Sequence, residues 1–324
     1  MAPLPHIVVV DDNPEIREPT LPDRPPVPRR AFLTDDCEAI LRFAAEGVEQ
    51  HRGSALVTLV EIRGGAARAI GAQMAVHGDG AFCGFVSGGC TEAAVAAEAV
   101  GAIAKGIDRY LRLGEGSPFF DMILPCGGGI LLAIHVLRDS LVVRDVLANL
   151  ALRRRVNLRY DPAKQRLDTD AKPVPSGWDD GIFVRAYRPK VRLVLCGRGI
   201  ELATTAKVAA AAGFETVTYD SEQVLKPDLG AIDVDTAVAL LYHDIDLERV
   251  VLEAALAAEP FYIGALGSRR THARRCEALW ALGYTRNETD RIKAPIGLFP
   301  KARDAASLAL SILSEIAATG SNWS

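Results

Sequence analysis

The chain has 324 residues, of which 49% are hydrophobic and 24% charged, and its formal net charge is −4. That length suggests about two domains, each able to bury a core without covalent staples. The slight acidity lacks the basic stripe of a nucleic-acid binder, no run approaches the ~18 apolar residues of a membrane span, and no basic-then-apolar leader is visible, so a cytoplasmic protein with neither kind of partner is expected.

The first 30 residues read as a proline-rich tail. "HIVVVDDNPEIRE" resembles the opening of a receiver domain, with Asp11 and Asp12 as its acid pair. Prolines at 19, 22, 25, 26 and 28 then favour an extended chain, and the receiver pattern does not continue. A phosphorylation-responsive signalling protein would rest on those two acids alone.

Residues 31–167 are expected to form an α+β domain. "TDDCEAILRFAAEGVEQHRG" predicts a helix capped by Thr34 or Asp35, with an apolar stripe of Ile40, Leu41, Phe43 and Ala44, and Gly47 or Gly53 as its stop. "SALVTLVEI" reads as a strand, and "AIGAQMAVHGDGAFCGFV" as a hairpin turning at Gly78–Gly80. Val95, Ala99, Ile103 and Ile107 recur at four-residue spacing in a helix that stops near Gly106. "ILLAIHVL" is a strand, "SLVVRDVLANLALRR" a helix, and "VNLRYDPAKQRLDTD" a hairpin. Residues 168–187, opening on a polar run rich in Pro, Gly and Asp, read as a linker.

Residues 188–319 change to alternating strand and helix. Strands are expected at 191–196, 214–219, 237–242, 261–266 and 295–298, with helices at about 200–212, 246–258, 268–282 and 303–318. Continuous apolar strands alternating with helices predict a Rossmann-like, doubly wound parallel sheet. The fold class is therefore α/β, an α+β domain followed by a Rossmann-like one.

Ligand chemistry collects at three places in the second domain. Gly197 and Gly199 follow a strand and open a helix, and Asp220 ends the next strand near the ~20-residue spacing of a ribose-binding acid. Leu202 stands where a third glycine would allow close helix–strand packing. An NAD(P)-dependent oxidoreductase is the alternative reading this frame supports. "YHDID" places His243, Asp244 and Asp246 at a strand end. "LGSRR" places Ser268 and Arg269 there, and Arg269, Arg270, Arg274 and Arg275 make the helix start basic, suited to an anion.

In the first domain the question is the use of Cys90 in "SGGCTE". Gly88 and Gly89 free the backbone, and the following helix start should cradle an anion and favour a thiolate. Nucleophile, metal ligand, cofactor clamp and small core residue all remain open on these residues. Cys126, before Gly127 and Gly128, sits in a similar loop. Six cysteines with no CxxC pair read as reduced thiols, and Cys37, Cys83, Cys196 and Cys276 lie in apolar settings as inert core thiols. None of His51, His77 and His135 forms a cysteine–histidine signature, so no base is assigned.

Taken in order, "RAIGAQM" (Arg68, Gly71, Ala72, Met74), "SGGCTE", "PCGGG", "GRG", "YHD", "YIGALGSRR" and "IKAPIGL" resemble the XdhC/CoxI accessory proteins of molybdenum hydroxylases. The motifs run from about residue 34 to 318. The resemblance implies a maturation chaperone, without turnover of its own, that binds molybdenum cofactor (molybdopterin or its nucleotide form), supports its sulfuration and delivers it to an apo molybdenum hydroxylase. It implies that Cys90 contacts the cofactor and its metal, and that Arg68, the glycine loops and the second-domain residues above contribute to binding. A cysteine desulfurase and a second copy of the chain, in a homodimer, are the further partners it suggests. The sequence departs from the family at Ile200, at Ser221 and Glu222 after Asp220, and at Phe299, Pro300 and Lys301, all in the second domain's crevice.

Overall fold

The computed structural model describes residues 26–114, 127–220, 232–242, 245–299 and 302–321. The chain divides into two units, Met1–Arg188 and Pro189–Ser324.

The first unit runs β1 (Arg29–Arg30), α1 (Cys37–Glu49), β2 (Ser54–Arg63), β3 (Gln73–His77), β4 (Ala81–Gly84), α2 (Glu92–Lys105), β5 (Arg109–Gly114), β6 (Gly129–Leu137), α3 (Leu141–Ala151), β7 (Val156–Asp161), β8 (Arg166–Asp170), β9 (Gly177–Asp179) and β10 (Ile182–Tyr187). Six strands make one sheet in the order β1-β4-β3-β2-β6-β5, and four make a second, antiparallel sheet in the order β8-β7-β10-β9. The central strand β2 shows why the large sheet carries two cores. Successive side chains point to opposite faces. Ala55, Val57 and Leu59 therefore join the α2 side, while Leu56 and Val60 join the side of α1, α3 and the small sheet. A register shift between Leu59 and Glu61 in the pairing with β6 reverses this phase, and Ile62 packs on the α2 side. At that irregularity the Trp178 indole N–H donates to the Val60 carbonyl at 3.0 Å and ties the small sheet to β2.

Three local expectations change. The cap of α1 is Asp36, whose side chain accepts the Glu38 N–H at 3.0 Å, while Thr34 accepts the Asp36 N–H. Gly47 does not stop the helix. It lies inside it because a Cβ there would fall 2.4 Å from the buried His77 ring. Residues 168–187 are not a linker: they hold the end of β8 and all of β9 and β10, with Phe183 and Tyr187 in the core. The polar, glycine-rich composition of 168–181 reflects an edge strand and exposed turns, which look like a loop when the partner strands are unknown.

The second unit comprises β11 (Arg192–Gly197), α4 (Gly199–Ala211), β12 (Glu215–Tyr219), β13 (Thr236–Leu241), α5 (Ile245–Ala258), β14 (Tyr262–Ala265), α6 (Arg269–Ala281), α7 (Arg286–Thr289), β15 (Ile292–Lys293) and α8 (Ala305–Ser321). Its sheet is parallel throughout in the order β12-β11-β13-β14-β15. Residues of α5 and α6 fill one face of the sheet and residues of α4 and α8 the other. This is the expected doubly wound arrangement. The last strand is Ile292–Lys293 rather than 295–298. Gly297 has φ 110°, unsuited to a strand, and its N–H donates to Glu315 of α8 at 2.7 Å. The "PIGL" segment is thus a loop bound to α8.

Candidate functional site

The loop before α2 is built around Glu92. This side chain is fully buried. Its Oε1 accepts the backbone N–H groups of Val86 (3.1 Å), Ser87 (2.9 Å) and Gly88 (3.3 Å). The Ser87 hydroxyl donates to the same carboxylate, lying 2.9 and 3.0 Å from its two oxygens. The amides expected to cradle an external anion at Gly88 therefore turn inward onto the protein's own carboxylate. From the sequence alone, Glu92 in the first turn of α2 reads only as a complement to the positive helix end. Its position in the helix's first turn was the available signal, but the backward reach to three amides depends on the loop's turn. Gly88 and Gly89 make that turn at φ 143° and 109°, where other residues are strained.

Cys90 is the exposed thiol among the five described cysteines. Its Sγ lies 3.8 Å from Ser87 Oγ. Burial pushes the Cys83 and Cys196 thiols up to about 12, and raises Cys37 and Cys276 as well. Native alkylation with iodoacetamide near pH 8 should therefore label Cys90 well before these four. Peptide mapping by mass spectrometry checks this, and equal labelling of Cys83 or Cys196 would contradict the packing. His77 and His135 both lie on the α1 and α3 side of the large sheet, opposite α2 by strand alternation. His77 contacts the Phe43 carbonyl at 2.7 Å, and His135 contacts Asp108 at 2.6 Å. Both rings are held by these contacts on the face of the sheet opposite α2.

The turn after β2 brings the two glycine loops together. A Cβ on Gly88 would lie 3.0 Å from Ala67 Cβ, and one on Gly128 would lie 2.2 Å from the Gly65 carbonyl and 2.5 Å from that of Arg63. Gly127 is exposed at φ 69°. Cys126 lies outside the described residues, as do Asp11, Asp12, His243 and Asp244. Gly71, from the "RAIGAQM" motif, serves packing: its φ is 86° and a Cβ would meet Arg185 Cδ at 2.7 Å. Arg68 sits over the Phe85 ring at 5.3 Å and pairs with Asp35 at 3.5 Å. Phe85 in turn contacts Arg30, whose guanidinium is 5.1 Å from the ring centre. Neither Arg30 nor Phe85 stands out in the sequence, because no spacing rule joins β1 to the loop after β4.

In the second unit, β11 is flanked by β12 and β13, so the strand order reverses at the end of β11. Gly197 ends that strand and Gly199, at φ 73°, opens α4. A Cβ on Gly197 would fall 2.8 Å from Leu241 Cβ, so this glycine lets β11 and β13 approach. Asp220 follows β12; burial above all, then Cys196 and Asp220, pushes the Tyr242 hydroxyl up to about 12. Leu202 packs with the α4 and α8 core. Ser268 caps α6 by accepting the Thr271 N–H at 3.2 Å, and Arg269 is exposed beside it. Arg275 is not part of the basic helix start. It is buried, its guanidinium bonds both Glu248 oxygens at 2.7 and 3.0 Å, and it donates to the Leu266 carbonyl at 2.9 Å. Among the described residues no group of three His, Cys, Asp or Glu could hold a metal ion.

Residues 48–114 match the XdhC and CoxI family, and residues 193–316 match the XdhC Rossmann domain. The molybdenum cofactor insertion chaperone PaoD of Escherichia coli (strain K12) is 53% identical over 292 residues, which span 90% of this chain and 91% of that protein. The chain belongs to the XdhC and CoxI family. A crystal structure described as a xanthine dehydrogenase from Bacillus halodurans shares the fold, with a TM-score of 0.70 and 20% identity over 87% of this chain and 96% of that one. For this XdhC and CoxI protein, the two matched segments fall one in each unit, the first covering the Cys90 loop and the second the sheet from β11 to α8.

Proposed function

We propose that the protein is a molybdenum cofactor insertion chaperone that holds the cofactor as cargo and hands it to an apo molybdenum hydroxylase. The relative PaoD supplies the class. The observation that carries the reading to this chain is the exposed Cys90 thiol, presented on a loop whose Val86, Ser87 and Gly88 amides are already satisfied by Glu92. A single soft sulfur donor suits a metal that arrives with its own sulfur ligands. In this role Cys90 is a removable ligand, not a nucleophile, and the sheet beneath holds it in place. Sulfuration of the cargo, with a cysteine desulfurase as sulfur source, and action as a homodimer in the cytoplasm belong to the same reading. Within the first unit, contributions from Arg68, Gly127, Gly128 and Cys126 belong to the same reading; in the second unit, considered by itself, His243, Asp244, Ser268 and Arg269 are the proposed contributors.

The test is purification followed by pterin and molybdenum analysis of wild type and Cys90→Ala. Wild type should carry both, and the variant should lose most of each while melting at the same temperature. Equal retention by the two proteins would remove Cys90 from the site.

One observation favours a second reading, NAD(P)-dependent oxidoreduction: Gly197, Gly199 and Asp220 do sit at the strand-order reversal. Against it, a Cβ on Gly199 would lie 3.6 Å from Glu201 Oε2, so an acid already stands at the helix start where a pyrophosphate would bind. Saturable NADH fluorescence enhancement abolished by Gly199→Val would support it.

A further inference from the structure

We propose that the anionic end of the cargo is bound by Arg30 and Arg68, both held on the Phe85 ring, rather than by the amides of the Val86–Gly88 turn. This deepens the reading of Cys90 as the cargo thiol and rests on it. The first ground is exclusion. Three consecutive amides, Val86 to Gly88, already converge on the buried Glu92 carboxylate. A phosphate entering that nest would lose those donors and meet a like charge. The second ground is the pair of cations. The Arg30 guanidinium lies 5.1 Å from the Phe85 centroid and 5.7 Å from that of Phe82, and Arg68 lies 5.3 Å from Phe85. An aromatic face fixes a guanidinium while leaving its N–H edge free for a phosphate oxygen. The Arg68 partner, Asp35, is 77% exposed at 3.5 Å, a surface pair that an incoming phosphate can replace. The third ground is position. A Cβ on Gly89 would stand 3.9 Å from Phe85 Cε1, so the ring lies against the residue next to Cys90. A pterin bearing a terminal phosphate or pyrophosphate would thus present its metal end to Cys90 and its anionic end to the two arginines.

The experiment titrates full-length wild type, Arg30→Ala, Arg68→Ala, the double variant and Cys90→Ala with molybdenum-loaded molybdopterin, and separately with its enzymatically dephosphorylated, still molybdenum-loaded form. The readout is oxidised-pterin fluorescence retained after desalting, with inorganic phosphate as competitor and melting curves as the folding control. Each single arginine variant should weaken retention of the phosphorylated pterin about tenfold. The double variant should bind it no better than wild type binds the dephosphorylated form, and phosphate should displace pterin from wild type only. Lysine at both positions should restore part of the loss, which a folding defect would not allow. Undiminished retention by the double variant, or equal loss of both pterin forms, overturns the proposal. If Cys90→Ala loses its pterin while the double variant keeps it, the arginine assignment falls and the Cys90 reading stands. If the double variant loses its pterin and Cys90→Ala does not, the reverse holds.

Discussion

Glu92→Ala should destabilise the first unit by about 3–5 kcal/mol, because it strands several buried donors at once. The amides of Val86, Ser87 and Gly88 and the Ser87 hydroxyl all donate to that one carboxylate, and the side chain is fully buried. Hydrogen bonds to a charged acceptor contribute about 1.5–3 kcal/mol each, and an abandoned buried donor costs about 1–3 kcal/mol. Water entering the vacated space would recover part of this sum, which keeps the net below the total of its parts. For a unit of this size each kcal/mol lowers the melting temperature by about 2–4 °C, so a fall of roughly 10 °C is expected. Glu92→Gln should lose less, about 1–3 kcal/mol, since its oxygen can still accept while its NH2 group faces another donor. Thermal unfolding followed by circular dichroism checks both. A Glu92→Ala protein melting with wild type would mean that the loop does not depend on the carboxylate. The cargo consequence is separable: Glu92→Gln should hold its pterin less well even where it remains folded, because Cys90 rides on the same loop.

The second large effect is in the other unit. Arg275→Leu should cost about 3–5 kcal/mol, because Glu248 then remains buried without the guanidinium that meets both its oxygens. The pair joins α5 to α6, and its third bond, to the Leu266 carbonyl, fastens both to the end of β14. One guanidinium nitrogen, Nη1, is buried with no partner among the described residues, so the pair itself is imperfectly solvated by the protein. Replacing both members, Arg275→Leu with Glu248→Met, should therefore restore most of the lost stability. A double-mutant cycle measured by urea unfolding gives the coupling directly. Losses that simply add would show that the two side chains do not stabilise each other.

Local patterns carried most of the architecture. The β-prone apolar run of β2, the four-residue spacing in α2 and the apolar strands of the second unit were readable because local pattern depends only on neighbouring residues. So were the glycines at 88, 89, 197 and 199, each needed for a positive φ or a close approach that no side chain permits. The ordered motifs, and with them the XdhC and CoxI family, also belong to the linear chain. The errors fell where a residue's meaning depends on a distant partner. Residues 168–187 look like linker until β7 is there to pair with them, and Arg275 looks like a surface cation until Glu248 of another helix is placed against it. Glu92 shows the same limit at the candidate site. Its charge in the first turn of α2 was legible as a complement to the helix dipole, and only the folded loop, by bringing three amides within 3.3 Å of its Oε1, made it the anion that fills the cradle. Spacing along a chain specifies which groups are near in sequence, whereas hydrogen bonding and desolvation act through distances that exist only after the sheet has closed around its helices.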